Sequence, residues 1–213
     1  MRVGLFGGTF NPIHLGHLRA AEEVREALGL DLVYFTPAAV PPHRSDEGLA
    51  PAKHRMAMVS LAVKGNSHFL ASDVELRRRG PSYTIDTVRI LKTGLRVPGE
   101  LFLIVGSDAF AEFPGWKDSA TLVQLCHIVV HGRPRPEQGG SQVPLSLVVL
   151  ERLGYRQQGD GYIHPNGKTL TYVPTTPIPI SGNLIRENLK AGRSIRYLLP
   201  YEVVDYIERH HIY

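Results

Sequence analysis

The sequence predicts a doubly wound α/β domain, a parallel sheet covered by helices on both faces, and three observations carry that prediction. Short apolar runs of strand length recur at Val3 to Phe6, Leu32 to Thr36, His68 to Val74, Leu101 to Val105 and His127 to His131. Apolar stripes at near-helical spacing lie between them: Leu18, Ala21, Val24 and Leu28, then Met56, Val59 and Val63, then Ile85, Val88 and Leu91. Strand and helix therefore alternate, and the strands are apolar throughout, as strands buried on both faces must be.

Each element has local signals. Gly29 closes the first helical stripe. Beyond Arg133 the pattern changes to a loop, Pro134 to Ser141, followed by a helix from Pro144 to Leu153. Short strands at Tyr162-Ile163 and Thr169 to Val173 flank Pro165-Asn166-Gly167-Lys168, whose Asn-Gly pair marks a hairpin turn. Two helices follow, Asn183 to Ala191 and Pro200 to His210, the second with proline at its first position. The expectation is one Rossmann-like domain spanning 1–213, with C-terminal helices from about residue 183 packed on it.

Composition narrows the function classes. With 213 residues the chain can fill one core but hardly two. Hydrophobic residues make up 43% and charged residues 21%, and no apolar stretch approaches the ~18 residues of a membrane span. Met1 to Phe6 runs straight into the first strand without signal-peptide character, so a cytoplasmic protein is expected. Cys126 is the only cysteine; no intrachain disulfide can form, and its apolar setting reads as structural. A net charge of +4 suits small anionic substrates and gives no reason to expect nucleic acid. Arg77-Arg78-Arg79 reads as a solvated turn.

The most informative segment is Gly7-Gly8-Thr9-Phe10-Asn11-Pro12-Ile13-His14-Leu15-Gly16-His17, directly after the first strand and leading into the first helix. In an open parallel sheet ligands bind there. The glycines permit a sharp turn and close backbone approach, and the helix start offers unpaired N–H groups and partial positive charge. His14 and His17, three residues apart, can face one phosphate chain. A metal site would need a third ligand, and no nearby residue has the spacing for one. A second segment, Ile180-Ser181-Gly182-Asn183-Leu184-Ile185-Arg186, places a capping serine before a helix and an arginine about a turn later, again suited to an anion.

The first segment resembles the signature of the H-x-G-H nucleotidyltransferase superfamily, which includes class I aminoacyl-tRNA synthetases. The second is similar to the I-S-x-x-x-I-R motif of its small-molecule adenylyltransferases. Pro41-Pro42-His43-Arg44, Pro81-Ser82-Tyr83-Thr84-Ile85-Asp86-Thr87, Gly106-Ser107-Asp108 and the Trp116 segment resemble the nicotinate mononucleotide branch. The resemblance implies His14, His17, Ser181 and Arg186 as catalytic residues. It implies ATP binding by Gly7, Gly8, Thr9, Phe10, Gly106, Asp108 and Ile180, and mononucleotide binding by Arg44, Tyr83, Thr84, Trp116 and, as a further candidate, Arg133. In that family, backbone amides around Thr84 and near Trp116 hold the nicotinate carboxylate. Asn183 departs from the usual Ser or Thr and receives no catalytic role.

The implied reaction joins the AMP part of ATP to nicotinate mononucleotide and releases pyrophosphate, with Mg²⁺ bound mainly through ATP phosphates and no metal ligand from the chain. The alternatives are a nicotinamide mononucleotide or other small-molecule adenylyltransferase of the same superfamily, or a non-catalytic dinucleotide-binding module. The implied partners are the two nucleotides, with no membrane. The sequence leaves oligomeric state open, a homo-oligomer included.

Overall fold

Residues along a strand point alternately to opposite faces, and here both faces are apolar. Phe102 and Ile104 join one core with Phe6, Phe35 and Val129, while Leu101, Leu103 and Val105 join a second with Val3, Leu5 and Ile128. The computed structural model describes residues 1–42, 48–94, 99–132, 146–159 and 161–213. Among these residues the strands are β1 (Arg2–Gly8), β2 (Leu32–Pro37), β3 (Phe69–Ala71), β4 (Glu100–Gly106), β5 (His127–Gly132), β6 (Arg156–Gln158), β7 (Gly161–Ile163) and β8 (Thr169–Pro174). They form one sheet in the order β3-β2-β1-β4-β5-β8-β7-β6. Pairing is parallel from β3 across to β8, and the β6–β7 and β7–β8 pairs at the far edge are antiparallel.

The helices are α1 (Leu15–Leu28), α2 (Ala52–Val63), α3 (Thr84–Gly94), α4 (Ser107–Ala111), α5 (Ser119–Leu125), α6 (Leu147–Arg152), α7 (Gly182–Lys190) and α8 (Tyr201–His210), with a 3-10 turn at Phe113–Gly115. Ala21 and Val24 of α1, Met58, Val59 and Val63 of α2 and the buried residues of α7 and α8 belong to the first core; the buried apolar residues of α3, α4, α5 and α6 belong to the second. The fold is thus the doubly wound, Rossmann-like α/β arrangement. From β1 the chain builds outward to β2 and β3, then crosses back to β4 on the other side of β1. The carboxyl ends of β1 and β4 therefore flank the switch point where such sheets open a crevice.

Several local expectations are corrected. The run from His68 to Val74 is strand only at Phe69–Ala71; β3 is an edge strand, and after the Ser72 N–H bonds Phe35 the chain turns at Asp73. In α2 the buried residues are Arg55, Met58, Val59 and Val63, while Met56 is only half-buried, because the polar Arg55 occupies a core position. Pro200 stands at the N-cap of α8, one residue before the first helical position. The stretch from Ser107 to Leu125, for which the sequence offered no stripe, folds as short helices. Strand β6, also not expected, adds an edge to the hairpin of β7 and β8.

Gly29 closes α1 in the left-handed region at φ 56°, as expected. Arg78 is more than a solvated turn: its guanidinium lies 2.8 Å from the Asp86 carboxylate. Cys126 is fully buried at the end of α5, and burial pushes its thiol up to about 12, which suits a structural role. The loop from Pro134 to Ser141 and the start of the helix at Pro144 lie outside the described residues. No helix among the described residues is long and apolar enough to cross a membrane.

Candidate active site

A cleft of about 1200 Å³ opens at the switch point. Its walls are the loop after β1, the start of α1, the turn from β4 into α4, the end of β5, and the segment leading into α7. In the loop, Phe10 holds a left-handed φ of 47° and is buried. Its ring explains Gly8, since a Cβ there would sit 3.1 Å from Phe10 Cζ.

His14 is the N-cap of α1, in an extended conformation, so it stands just before the helical turn that carries His17. Its backbone N–H donates to His17 Nδ1 at 3.2 Å, and the two rings stack with centroids 3.7 Å apart. A neutral His17 with Nδ1 accepting must carry its proton on Nε2. His14 is only 7% exposed, its Nδ1 has no partner, and burial lowers its pKa to about 4. Gly16 is required by this packing, because a Cβ there would lie 3.1 Å from His14 Nδ1.

The two sequence segments meet in space. Ser181 caps α7, its Oγ accepting from the Leu184 N–H at 3.1 Å. Arg186 donates from Nη1 to the Asn11 carbonyl at 2.7 Å, across 175 residues, and from Nη2 to Asn183 Oδ1 at 2.6 Å. Asn183, given no catalytic role from sequence, therefore orients the arginine. Gly182 lets the segments touch, since its Cβ would fall 2.6 Å from the Asn11 carbonyl oxygen. Ile180, Gly106 and Asp108 line the same cleft, with Asp108 in the first turn of α4.

A second cavity, about 480 Å³, lies beyond the Gly7-Gly8-Thr9 loop and shares those residues and Gly106 with the first. Tyr83, Thr84 and Trp116, the residues expected to bind the mononucleotide, line it together with Lys117. Trp116 packs against Phe113 at 5.1 Å, and its own N–H is taken by the Phe113 carbonyl at 3.0 Å. Donors for a ligand here must come from elsewhere: α3 begins at Thr84, and since the Asp86 N–H already donates to the Tyr83 carbonyl at 3.1 Å, the amides left at its start are those of Thr84 and Ile85. Lys117 Nζ sits 4.6 Å over the Tyr83 ring and 3.4 Å from Asp86. Arg44, with His43, and Arg133 lie outside the described residues.

Sequence reasoning missed three groups. His131, at the end of β5, lines the cleft edge-on to Phe6, with its pKa lowered to about 4 by burial. Its position beside the switch point was the available signal. Arg55 is fully buried and donates to the carbonyls of Ala50 (2.9 Å), Thr9 (2.8 Å) and Ala39 (3.2 Å), tying the first loop to the chain on either side of residues 43–47. Glu75 accepts from Thr87 at 2.7 Å, and burial raises its carboxyl above the usual carboxylate range. Neither has a sequence signal. Among the described residues no group of three or more His, Cys, Asp or Glu side chains could hold a metal ion.

A switch-point cleft with paired imidazoles and a tethered guanidinium at two helix N-termini suits a polyanion, and the family model and relatives give the class: a nucleotidyltransferase. Residues 5–188 match the family model described as Cytidylyltransferase-like. A probable nicotinate-nucleotide adenylyltransferase from Geobacter sulfurreducens is 42% identical over 100% of this chain and 98% of its own. One from Pseudomonas aeruginosa is 42% identical over 100% of this chain and 97% of its own. The chain belongs to this cytidylyltransferase-like family and, within it, to the nicotinate-nucleotide adenylyltransferases. Its fold is shared with the nicotinic acid mononucleotide adenylyltransferase of Plasmodium falciparum complexed with NaAD, at a TM-score of 0.72 and 17% identity over 99% of this chain and 96% of that one.

Proposed function

We propose that the chain transfers AMP from ATP to nicotinate mononucleotide, giving deamido-NAD and pyrophosphate, as a cytoplasmic enzyme of NAD synthesis. The observation that carries this reading is the meeting of two cavities at Gly7, Gly8 and Thr9, one lined by His14, His17 and Arg186, the other by Tyr83, Thr84 and Trp116. ATP occupies the first and the pyridine ring of the mononucleotide the second, so the reacting phosphates come together over the glycines.

The attacking atom is a phosphate oxygen of the mononucleotide, anionic at neutral pH, so no protein base or nucleophile is needed. His17 donates from Nε2 and His14 lies stacked beside it to meet charge growing on the transferring and leaving phosphates. Arg186 uses two of its five N–H groups on Asn11 and Asn183 and offers the rest to phosphate oxygens. Ser181 holds the start of α7, whose amides and partial positive charge favour the same anion. Asp108 is the one acidic residue lining this cleft among the described residues, so the donor set fits a Mg²⁺ held mainly by ATP oxygens. When bound, that ion neutralises phosphate charge. Arg44 and Arg133 remain proposed contacts of the mononucleotide phosphate.

The test is pyrophosphate release with ATP and Mg²⁺ fixed and nicotinate mononucleotide, nicotinamide mononucleotide or phosphopantetheine supplied in turn. Fast release with the nicotinate compound alone is expected; its absence there with release from another acceptor would overturn the substrate assignment.

A further inference from the structure

We infer that Tyr213 is a positioning residue for the phosphate-binding loop, acting through the side chain of Asn11, so that adenylate transfer depends on its hydroxyl; the inference rests on the function proposed above.

Helix α8 ends in a reversal. His211 adopts a left-handed φ of 48°, its N–H bonds back to the Glu208 carbonyl, and the Ile212 N–H bonds back to Ile207 at 3.1 Å. Ile212 enters the first core, which turns Tyr213 toward the loop after β1. There the phenol donates to Asn11 Oδ1 at 2.6 Å. The same oxygen accepts from the Ala50 N–H at 3.0 Å, and Asn11 Nδ2 donates to the Gly48 carbonyl at 2.9 Å. Burial raises the phenol above its ordinary pKa, so it stays protonated and able to donate.

These bonds converge on Thr9 and Asn11. Arg55 holds the Thr9 carbonyl, Arg186 the Asn11 carbonyl, and Tyr213 the Asn11 side chain. Between them Phe10 is kept at positive φ, a conformation costly for a non-glycine residue that persists only where its surroundings over-determine it. Tyr213 lines neither cavity, so it has no route to the substrates except through this loop. Removing its hydroxyl leaves Asn11 Oδ1 still bonded to Ala50, so no polar group is orphaned and the fold should stand. The loss should instead appear in the order of the loop and in the aim of Arg186.

The experiment compares Tyr213→Phe, Asn11→Ala and the double variant of the full chain. Steady-state pyrophosphate release, calorimetric binding of a non-hydrolysable ATP analogue and thermal unfolding are measured for each. For Tyr213→Phe, kcat/KM for ATP and analogue affinity should each fall about tenfold, the effect of one net hydrogen bond. The mononucleotide KM should change less than about twofold, with the unfolding midpoint lowered by no more than about 4 °C. The double variant should be no worse than Asn11→Ala alone, because both changes cut one path. Wild-type kinetics and affinity in Tyr213→Phe, a lower midpoint with unchanged kinetics, or additive losses in the double variant would each overturn the inference. If the wild type fails to use nicotinate mononucleotide while analogue affinity still falls in Tyr213→Phe, the substrate assignment fails and the positioning role stands.

Discussion

The His14 and His17 imidazoles are stacked with their planes 29° apart, and the backbone N–H of His14 fixes Nδ1 of His17. One histidine thus orients the other through the main chain, while its own ring supplies the second face of the stack. The arrangement acts as a helix cap at the proposed phosphate site, because it engages an amide at the start of α1.

His17→Ala should lower kcat by about 100-fold, the loss typical of removing one donor that acts on developing charge. Nicotinate mononucleotide binding should change little, since His17 does not line the second cavity. Equilibrium dialysis with the mononucleotide and single-turnover kinetics separate the two effects. A variant that keeps its turnover would remove His17 from the reaction.

Stability should fall as pH drops from about 6.5 toward 4. The folded-state pKa values of His14 and His131 lie near 4 because both are buried. The unfolded chain therefore takes up protons first, and the native state loses ground until both states are protonated. For His14, 7% exposed, the loss is on the order of 3 kcal/mol. Burial first of all also lowers His54 and His127, which act in the same direction. Glu75, raised by burial, opposes the trend just above its ordinary range. Urea unfolding at pH 7, 6, 5 and 4, run on wild type and on His131→Gln, checks this: the variant should show the flatter slope.

The sequence made the sheet legible because parallel strands buried on both faces leave continuous apolar runs, and β1, β2, β4 and β5 each fall within a residue or two of the expected spans. It singled out the segments holding His14, His17, Ser181 and Arg186, which the fold brings to one cleft, because fixed residue types at fixed spacing mark them; their phosphate role is the proposal above. What it hid was support. Arg55 is charged and stands outside the apolar stripe of Met56, Val59 and Val63, so it reads as surface although it is buried; Tyr213 meets Asn11 only because α8 reverses at its end. Short elements were hidden too: α4 and α5 are too brief to show a helical period.

Arg55→Met should cost about 3 kcal/mol or more, since it leaves the Thr9, Ala39 and Ala50 carbonyls without their donor at a buried site. Arg55→Lys should recover little of this, because an ammonium cannot reproduce the planar fork. Urea denaturation measures both. A methionine variant of native stability would mean that water takes over these carbonyls without cost.

The last prediction concerns the choice between acid and amide. The second cavity brings together Trp116, the start of α3 at Thr84 and the Lys117 ammonium, a set rich in donors and positive charge. Nicotinate presents a carboxylate to it; nicotinamide presents an NH₂ that would face donors and leave buried N–H groups unpaired. A site built on polar pairing rejects such an analogue strongly, so kcat/KM should favour the acid by at least about 100-fold, or about 2.7 kcal/mol. Trp116→Ala should weaken both mononucleotides by similar factors, because stacking senses the ring more than its substituent. Lys117→Met should narrow the preference by weakening the acid alone, since Lys117 attracts the carboxylate but shares its charge with Asp86 at 3.4 Å. Competition kinetics with the two mononucleotides measure the wild type and both variants on one scale, and comparable kcat/KM for acid and amide in the wild type would sink the carboxylate grip while leaving AMP transfer intact.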